Sequence, residues 1–166
     1  MWEGKFRGLL AGKGYEVSAT DLSESGIEIA RATHPTVSFR PRSTKTFAGS
    51  GGQPFDAVIA LEVVEHLYDP RQFLRRAIAC LRKEGTLILS TAYHGCLKNV
   101  ALAVFGGSDR HCDPLWDGGH IKFWSKATLG RLLTEAGFQM ERWEGTGRLP
   151  LLWKSMIVVA RMVDAS

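Results

Sequence analysis

The run Glu62-Val63-Val64-Glu65-His66 places two carboxylates and an imidazole at spacings of three and four residues. A single helical turn starting there would put all three on one face, because residues three and four apart are neighbours on a helix surface. Such a set can move a proton or hold a cation. One imidazole among carboxylates suits manganese, iron or zinc better than magnesium. The competing reading is an acidic first turn with a hydrogen-bonded histidine. His120, between Gly119 and the aromatic pair Phe123 and Trp124, is a second candidate. It completes the same set, acts as a base, or serves as a loop anchor. Trp116, Phe123 and Trp124 are candidates to line an aromatic pocket, although tryptophan near the start of an element is more often core. His34, His94 and His111 receive no role.

These groups need a scaffold that delivers them to one edge. Ala57-Val58-Ile59-Ala60-Leu61 is a continuous apolar run, and Phe55 to Leu61 fits a parallel strand covered on both faces. The acidic turn would then lie at the carboxyl edge of the sheet, where open α/β sheets bind ligands. Asp69 caps a following helix with Pro70 at its first position, and Gly85 ends it before a second buried strand, Thr86 to Thr91. Upstream, Phe6, Leu9 and Leu10 recur at helical spacing and Gly14 stops that helix. Short strands follow at Tyr15 to Thr20 and Val37 to Arg40, with a helix from Ser23 to about Thr33 between them and a glycine-rich loop from Phe47 to Pro54. Downstream, Ser125 caps a helix ending at Gly137, and Phe138 to Trp143 and Trp153 to Arg161 form a closing antiparallel pair. Tyr93 to Gly119 is the least regular stretch, of a length usual for lids and binding loops. Strands alternating with helices predict an α/β fold with a mostly parallel sheet and helices on both faces.

The chain has 166 residues, 45% hydrophobic and 23% charged, which is ordinary for one domain over 1–166 with a substantial core. No run approaches the roughly 18 to 20 apolar residues of a membrane span, and the N-terminus has no apolar signal core. The expectation is a soluble, cytoplasmic protein. Cys80, Cys96 and Cys112 are too few and too scattered for a disulfide framework or a structural zinc site. The net charge of +4 comes from dispersed residues, which gives no sign of a nucleic-acid groove.

Gly14-Tyr15-Glu16-Val17 leading to Asp21-Leu22-Ser23, Phe55 to Ile59 leading to Glu62 to His66, and Leu81 to Leu87 together resemble the class I S-adenosylmethionine-dependent methyltransferases. Gly119-His120-Ile121-Lys122-Phe123-Trp124-Ser125 and Ala136-Gly137-Phe138 place the likeness nearest the branch of the ubiquinone-biosynthesis O-methyltransferases. The resemblance implies a Rossmann-like sheet whose first strand and most of whose glycine-rich loop are missing here, with Gly4 the last glycine of that loop. It implies S-adenosylmethionine as cofactor, with Asp21 accepting hydrogen bonds from the ribose hydroxyls and Leu22 beside it. Ser43 and Thr44 stand where many members have an acidic residue facing the adenine, and Leu61 falls near the methionine part. In relatives, Glu62, Glu65 and His66 correspond to a pattern associated with a divalent metal beside the substrate hydroxyl.

The resemblance implies methyl transfer to the hydroxyl of a small-molecule acceptor, with His66 or His120 as base or the metal lowering the hydroxyl's pKa. The alternative is a noncatalytic or partner-dependent fragment of such a domain. No nucleic-acid partner is expected, and exposed sheet edges could support an oligomer. With the glycine loop missing, calorimetry should find weak S-adenosylmethionine binding or none. Micromolar binding that survives Asp21→Ala would overturn both the truncation and the ribose role.

Overall fold

The structure, a computed structural model, describes residues 2–21, 38–41, 53–107, 111, 115–116, 119–147 and 149–163. It forms two compact units, 1–53 and 54–166. In the first, helix α1 (Trp2–Gly12) ends in a turn where Gly14 takes φ +87°, a left-handed conformation that glycine adopts without a Cβ penalty. Strands β1 (Ser18–Asp21) and β2 (Ser38–Pro41) follow and pair in parallel, Ser18 opposite Ser38 and Asp21 opposite Pro41. The helix expected from Ser23 and most of the loop expected from Phe47 lie outside the described residues.

The second unit carries β3 (Phe55–Leu61), a 3-10 turn (Val64–His66), α2 (Pro70–Cys80), β4 (Leu81–Ala92), α3 (Cys96–Val104), α4 (Lys126–Glu135), β5 (Phe138–Thr146) and β6 (Ser155–Met162). Its four-stranded sheet has the order β3-β4-β6-β5. β3 and β4 are parallel, joined by the α2 crossover, whereas β6 runs antiparallel to both β4 and β5. Among the described residues the strands form two hydrogen-bonded sheets, β1-β2 and β3-β4-β6-β5, one in each unit.

Local chemistry explains the helix starts. Asp69 accepts a hydrogen bond from the Gln72 amide at 2.9 Å, and Pro70 stands at the first helical position, where a missing N–H costs nothing. Ser125 and Thr128 form a reciprocal capping box on α4. The end of α2 differs from the expected stop at Gly85. The helix ends at Cys80 because Leu81 turns extended, pairs with Phe55 and buries its side chain. Residues 82–85 then form an irregularity in the ladder before regular pairing resumes at Ala57 and Thr86. Gly85 is needed for close approach, since a Cβ there would lie 2.8 Å from the Arg82 carbonyl oxygen.

The stretch expected to be irregular contains α3. Its apolar residues Leu97, Val100 and Val104 face outward, while Lys98 is its buried residue, with Nζ donating to the Tyr93 carbonyl at 2.6 Å and the Lys154 carbonyl at 3.4 Å. This inverted pattern carries no core signal of the usual kind. No helix among the described residues is long and apolar enough to cross a membrane.

The core lies where α2 and α4 meet the sheet: Leu74 and Ala77 from α2, Leu129 and Leu133 from α4, with Leu87, Leu89 and Val158 beneath them. Phe138, at the start of β5, is 1% exposed and among the largest fully buried side chains. Phe138→Ala should cost about 3–5 kcal/mol in urea denaturation. Leu149→Ala, at a site 69% exposed, should stay within about 0.5 kcal/mol of wild type.

Candidate functional site

β3 delivers the chain to its carboxyl end at Leu61, which lies opposite Ser90 of β4. The next residue, Glu62, takes φ +52°. A side chain held in that region costs on the order of 1–3 kcal/mol unless its surroundings compensate. Ser90 does so three times. Its carbonyl and its hydroxyl oxygen both accept from the Glu62 amide at 3.0 Å, and its hydroxyl donates to Glu62 Oε1 at 2.7 Å.

The 3-10 turn Val64–His66 begins only after this kink, and it buries Val64 and Glu65. The Glu65 carbonyl accepts from two successive amides, Ile121 at 2.9 Å and Lys122 at 3.0 Å. That tie lays the 119–122 segment against the turn. His66 Nδ1 donates to the Gly119 carbonyl at 3.1 Å, a tautomer assigned from the acceptor it meets, which leaves the Nε2 lone pair available. The His66 and His120 rings lie 4.9 Å apart, and the Trp116 ring stands 6.0 Å from each.

Glu65, His66 and His120 thus each offer a ligand atom, all within 4.8 Å of one another. Glu62 is not in this group. A helical turn from residue 62 would have set Glu62, Glu65 and His66 on one face. The left-handed backbone at Glu62 breaks that register, and Ser90 takes its carboxylate. Glu65 does not pair with Arg71, whose guanidinium meets Glu135 at 2.6 Å.

Electrostatics follow from burial. Glu65 is 0% exposed, and its carboxylate lies beside the Thr91 hydroxyl and the Glu62 carboxylate without a hydrogen bond of good geometry. Desolvation raises its pKa above the usual carboxylate range, and the negative charge of Glu62 pushes the same way. Burial lowers the His120 pKa, the His66 charge adds to this, and Glu62 opposes it. His94, tied to Asn99 Oδ1 through Nδ1 at 3.3 Å, is lowered to about 4 by burial and then by Lys98. Its ring packs edge-on against Phe123. Both His94 and His120 are therefore neutral near pH 7.

Of the other residues singled out in the sequence, some lie in the first unit and some in the second. Gly4 falls inside α1, Asp21 closes β1 and Leu61 closes β3. Leu22, Ser43 and Thr44 lie outside the described residues. Trp116 is 57% exposed, whereas Trp124 packs on the core and directs its indole N–H to the Val64 carbonyl at 3.4 Å. Sequence reasoning missed Ser90. Its signal was a hydroxyl pair, Ser90-Thr91, closing an otherwise apolar strand. Beside α3 lies a recess of about 490 Å³ walled by Ala101, Leu102, Phe105, Leu149 and Leu152, with Lys98 at its margin.

Comparison with known proteins adds the following. The profile of a family described as a methyltransferase domain matches residues 3–142. A ubiquinone biosynthesis O-methyltransferase of Caulobacter sp. strain K31 is 38% identical over 102 residues, covering 58% of this chain and 40% of its own. The protein of that name from Azorhizobium caulinodans is 32% identical over 161 residues, covering 87% of this chain and 59% of its own. The chain therefore spans about two fifths to three fifths of the length of these relatives. Among solved structures, the magnesium protoporphyrin IX methyltransferase of Synechocystis PCC 6803 with bound SAH aligns at TM-score 0.69 and 21% identity, over 96% of this chain and 69% of its own. A putative methyltransferase of Bacillus halodurans C-125 aligns at TM-score 0.70 and 19% identity, over 97% and 89%. At these identities the likeness is one of fold, a Rossmann-like α/β arrangement.

The buried carboxylate generates a pH-dependent prediction. A carboxyl whose folded pKa is raised retains its proton where the unfolded chain has lost it, so stability falls as pH rises beyond the ordinary glutamate value of about 4.3. In chelator, thermal melts of the wild type should lose stability from acid to neutral pH more steeply than those of Glu65→Gln. Parallel profiles would show that Glu65 is not held in a desolvated state.

Proposed function

This chain belongs to the family of class I S-adenosylmethionine-dependent methyltransferase domains, and we propose that it transfers the methyl group of S-adenosylmethionine to a hydroxyl of a small-molecule acceptor. The observation that carries this reading is the gathering of Glu65, His66 and His120 beyond the end of β3, with a free imidazole nitrogen on His66 and a neutral His120. Methyl transfer asks little covalent chemistry of the protein. The acceptor oxygen attacks the sulfonium methyl in line, the carbon–sulfur bond breaks with its electron pair going to sulfur, and S-adenosylhomocysteine leaves. The protein has to hold the two reactants in line and take the hydroxyl proton.

His66 Nε2 is the better placed proton acceptor, because its Nδ1–H is fixed by Gly119 and its lone pair is oriented by that bond. His120 is the second, held neutral by burial. On the cofactor side, Asp21 is assigned to the ribose hydroxyls, with Gly4, Leu22, Ser43, Thr44 and Leu61 as cofactor-binding residues. These roles rest on the family resemblance.

The site also suits a divalent cation. A buried carboxylate beside two imidazoles is what a cation would satisfy, and buried charges ordinarily pair or coordinate metals. Glu65, His66 and His120 would hold it, and when bound it would supply a lower pKa to the acceptor hydroxyl. The apolar recess beside α3 supports an acceptor that joins its hydroxyl to an apolar body, in keeping with relatives named for ubiquinone biosynthesis.

The test is transfer of label from methyl-tritiated S-adenosylmethionine, at saturating cofactor, to alkyl-substituted catechols. His66→Ala and Glu65→Gln should each lower the rate by about 10²- to 10⁴-fold. Cofactor binding without transfer to any hydroxyl acceptor, or transfer indifferent to both substitutions, would refute the proposal.

A further inference from the structure

We propose that Lys98 is a positioning residue that ties together the two walls of the recess beside α3, and that it thereby sets the preference for an alkyl group on the acceptor. The inference rests on the reading that this chain methylates a hydroxyl of a small molecule with an apolar body.

The recess has two walls. Ala101, Leu102 and Phe105 belong to α3 and its end, whereas Leu149 and Leu152 belong to the segment that leads into β6. Phe105 is 84% exposed and Leu149 69%, so packing does not hold the walls together at their outer edges. Lys98 joins them from within. It stands three and four residues before Ala101 and Leu102, on the same helix face. Its Nζ donates to the Lys154 carbonyl at 3.4 Å, at the end of the opposite wall, and to the Tyr93 carbonyl at 2.6 Å, just past β4. The side chain is buried. An ammonium taken out of water is costly unless acceptors meet it, while its four-carbon stem adds apolar surface beside the recess. Leucine at this inward position could pack, but it could not bond either carbonyl.

The same residue also faces the histidines. Its charge contributes to the lowered pKa of both His94 and His120. His94 in turn packs edge-on against Phe123, in the segment that carries His120. The recess therefore adjoins the proposed methyl-transfer site through Lys98. Its volume of about 490 Å³ falls in the range of small-molecule pockets, and its leucine and phenylalanine walls suit an alkyl chain rather than a polar substituent.

Calorimetric binding of methylcatechol and butylcatechol, with methyl transfer to each measured alongside, tests this. Wild type should bind butylcatechol about tenfold more tightly, because each buried methylene adds to affinity, and the gain should appear in KM rather than kcat. Lys98→Met keeps the length of the side chain but removes its donors. It should reduce the preference to about twofold or less while leaving kcat/KM for methylcatechol near wild type, whereas a merely structural role would weaken both acceptors alike. Leu149→Glu, on the exposed rim of the other wall, should also reduce the preference, and it decides if Lys98→Met does not fold. Equal binding of the two catechols by wild type would overturn the inference, as would a preference that survives in Lys98→Met or in Leu149→Glu. Chain-length-dependent binding without methyl transfer would leave this inference standing and remove the proposed reaction. Transfer to both catechols without a chain-length preference would do the reverse.

Discussion

The carbonyl oxygen of Glu65 takes the amide hydrogens of both Ile121 and Lys122, and the candidate site depends on that bond pair. A carbonyl has two lone pairs, and both are used here. The returning segment is thereby fixed in register against the 3-10 turn, which sets His120 beside His66 and puts the Gly119 carbonyl within reach of His66 Nδ1. The same residue is satisfied twice through its backbone, whereas no hydrogen bond of good geometry reaches its carboxylate. What the carboxylate has beside it is the Thr91 hydroxyl and the Glu62 carboxylate, the second of which raises its pKa.

Much of the scaffold was legible because its signals are local. Asp69-Pro70 and Ser125 name helix starts through bonds to amides three residues on, and the apolar run 57–61 names a strand through its own composition. The site was legible in its residue types but not in its membership. Glu62 reaches Glu65 by another route than the one spacing suggests, because spacing fixes a shared face only if the helix already exists, and the backbone at Glu62 is left-handed. His120 could be suspected from its neighbours, yet its approach to His66 is set by hydrogen bonds across the fold. Helix α3 escaped because its apolar residues point to solvent and its lysine points inward, the reverse of the pattern by which helices are recognised. Ser90 escaped for a different reason: a serine in a strand announces nothing until its partner is seen.

Burial acts on the acid and the bases in opposite directions and to one end. It favours the protonated form of Glu65 and the unprotonated forms of His94 and His120, so the pocket tends toward neutrality without any ion. A cation that entered would compete with protonation of Glu65 and of the imidazoles, so its affinity would depend on pH. Lys98 contributes from the other side. Its ammonium, bound to two carbonyls at the ends of β4 and of the loop before β6, adds to the lowering of both imidazoles while holding α3 in place.

β4 has a hydrogen-bonded neighbour on each side, β3 and β6, and it carries Ser90 and Thr91 near its carboxyl end. Peptide groups in such a strand open only with the larger unit, whereas groups held by a few local bonds open at much lower cost. The pocket accordingly has a rigid floor and a wall that can detach. The floor is the end of β3 and β4, and the wall is the 119–122 segment, held by the Glu65 carbonyl and by His66 Nδ1 at the Gly119 carbonyl. His120 thus belongs to the wall, whereas Glu65 and His66 belong to the turn that rises directly from the floor.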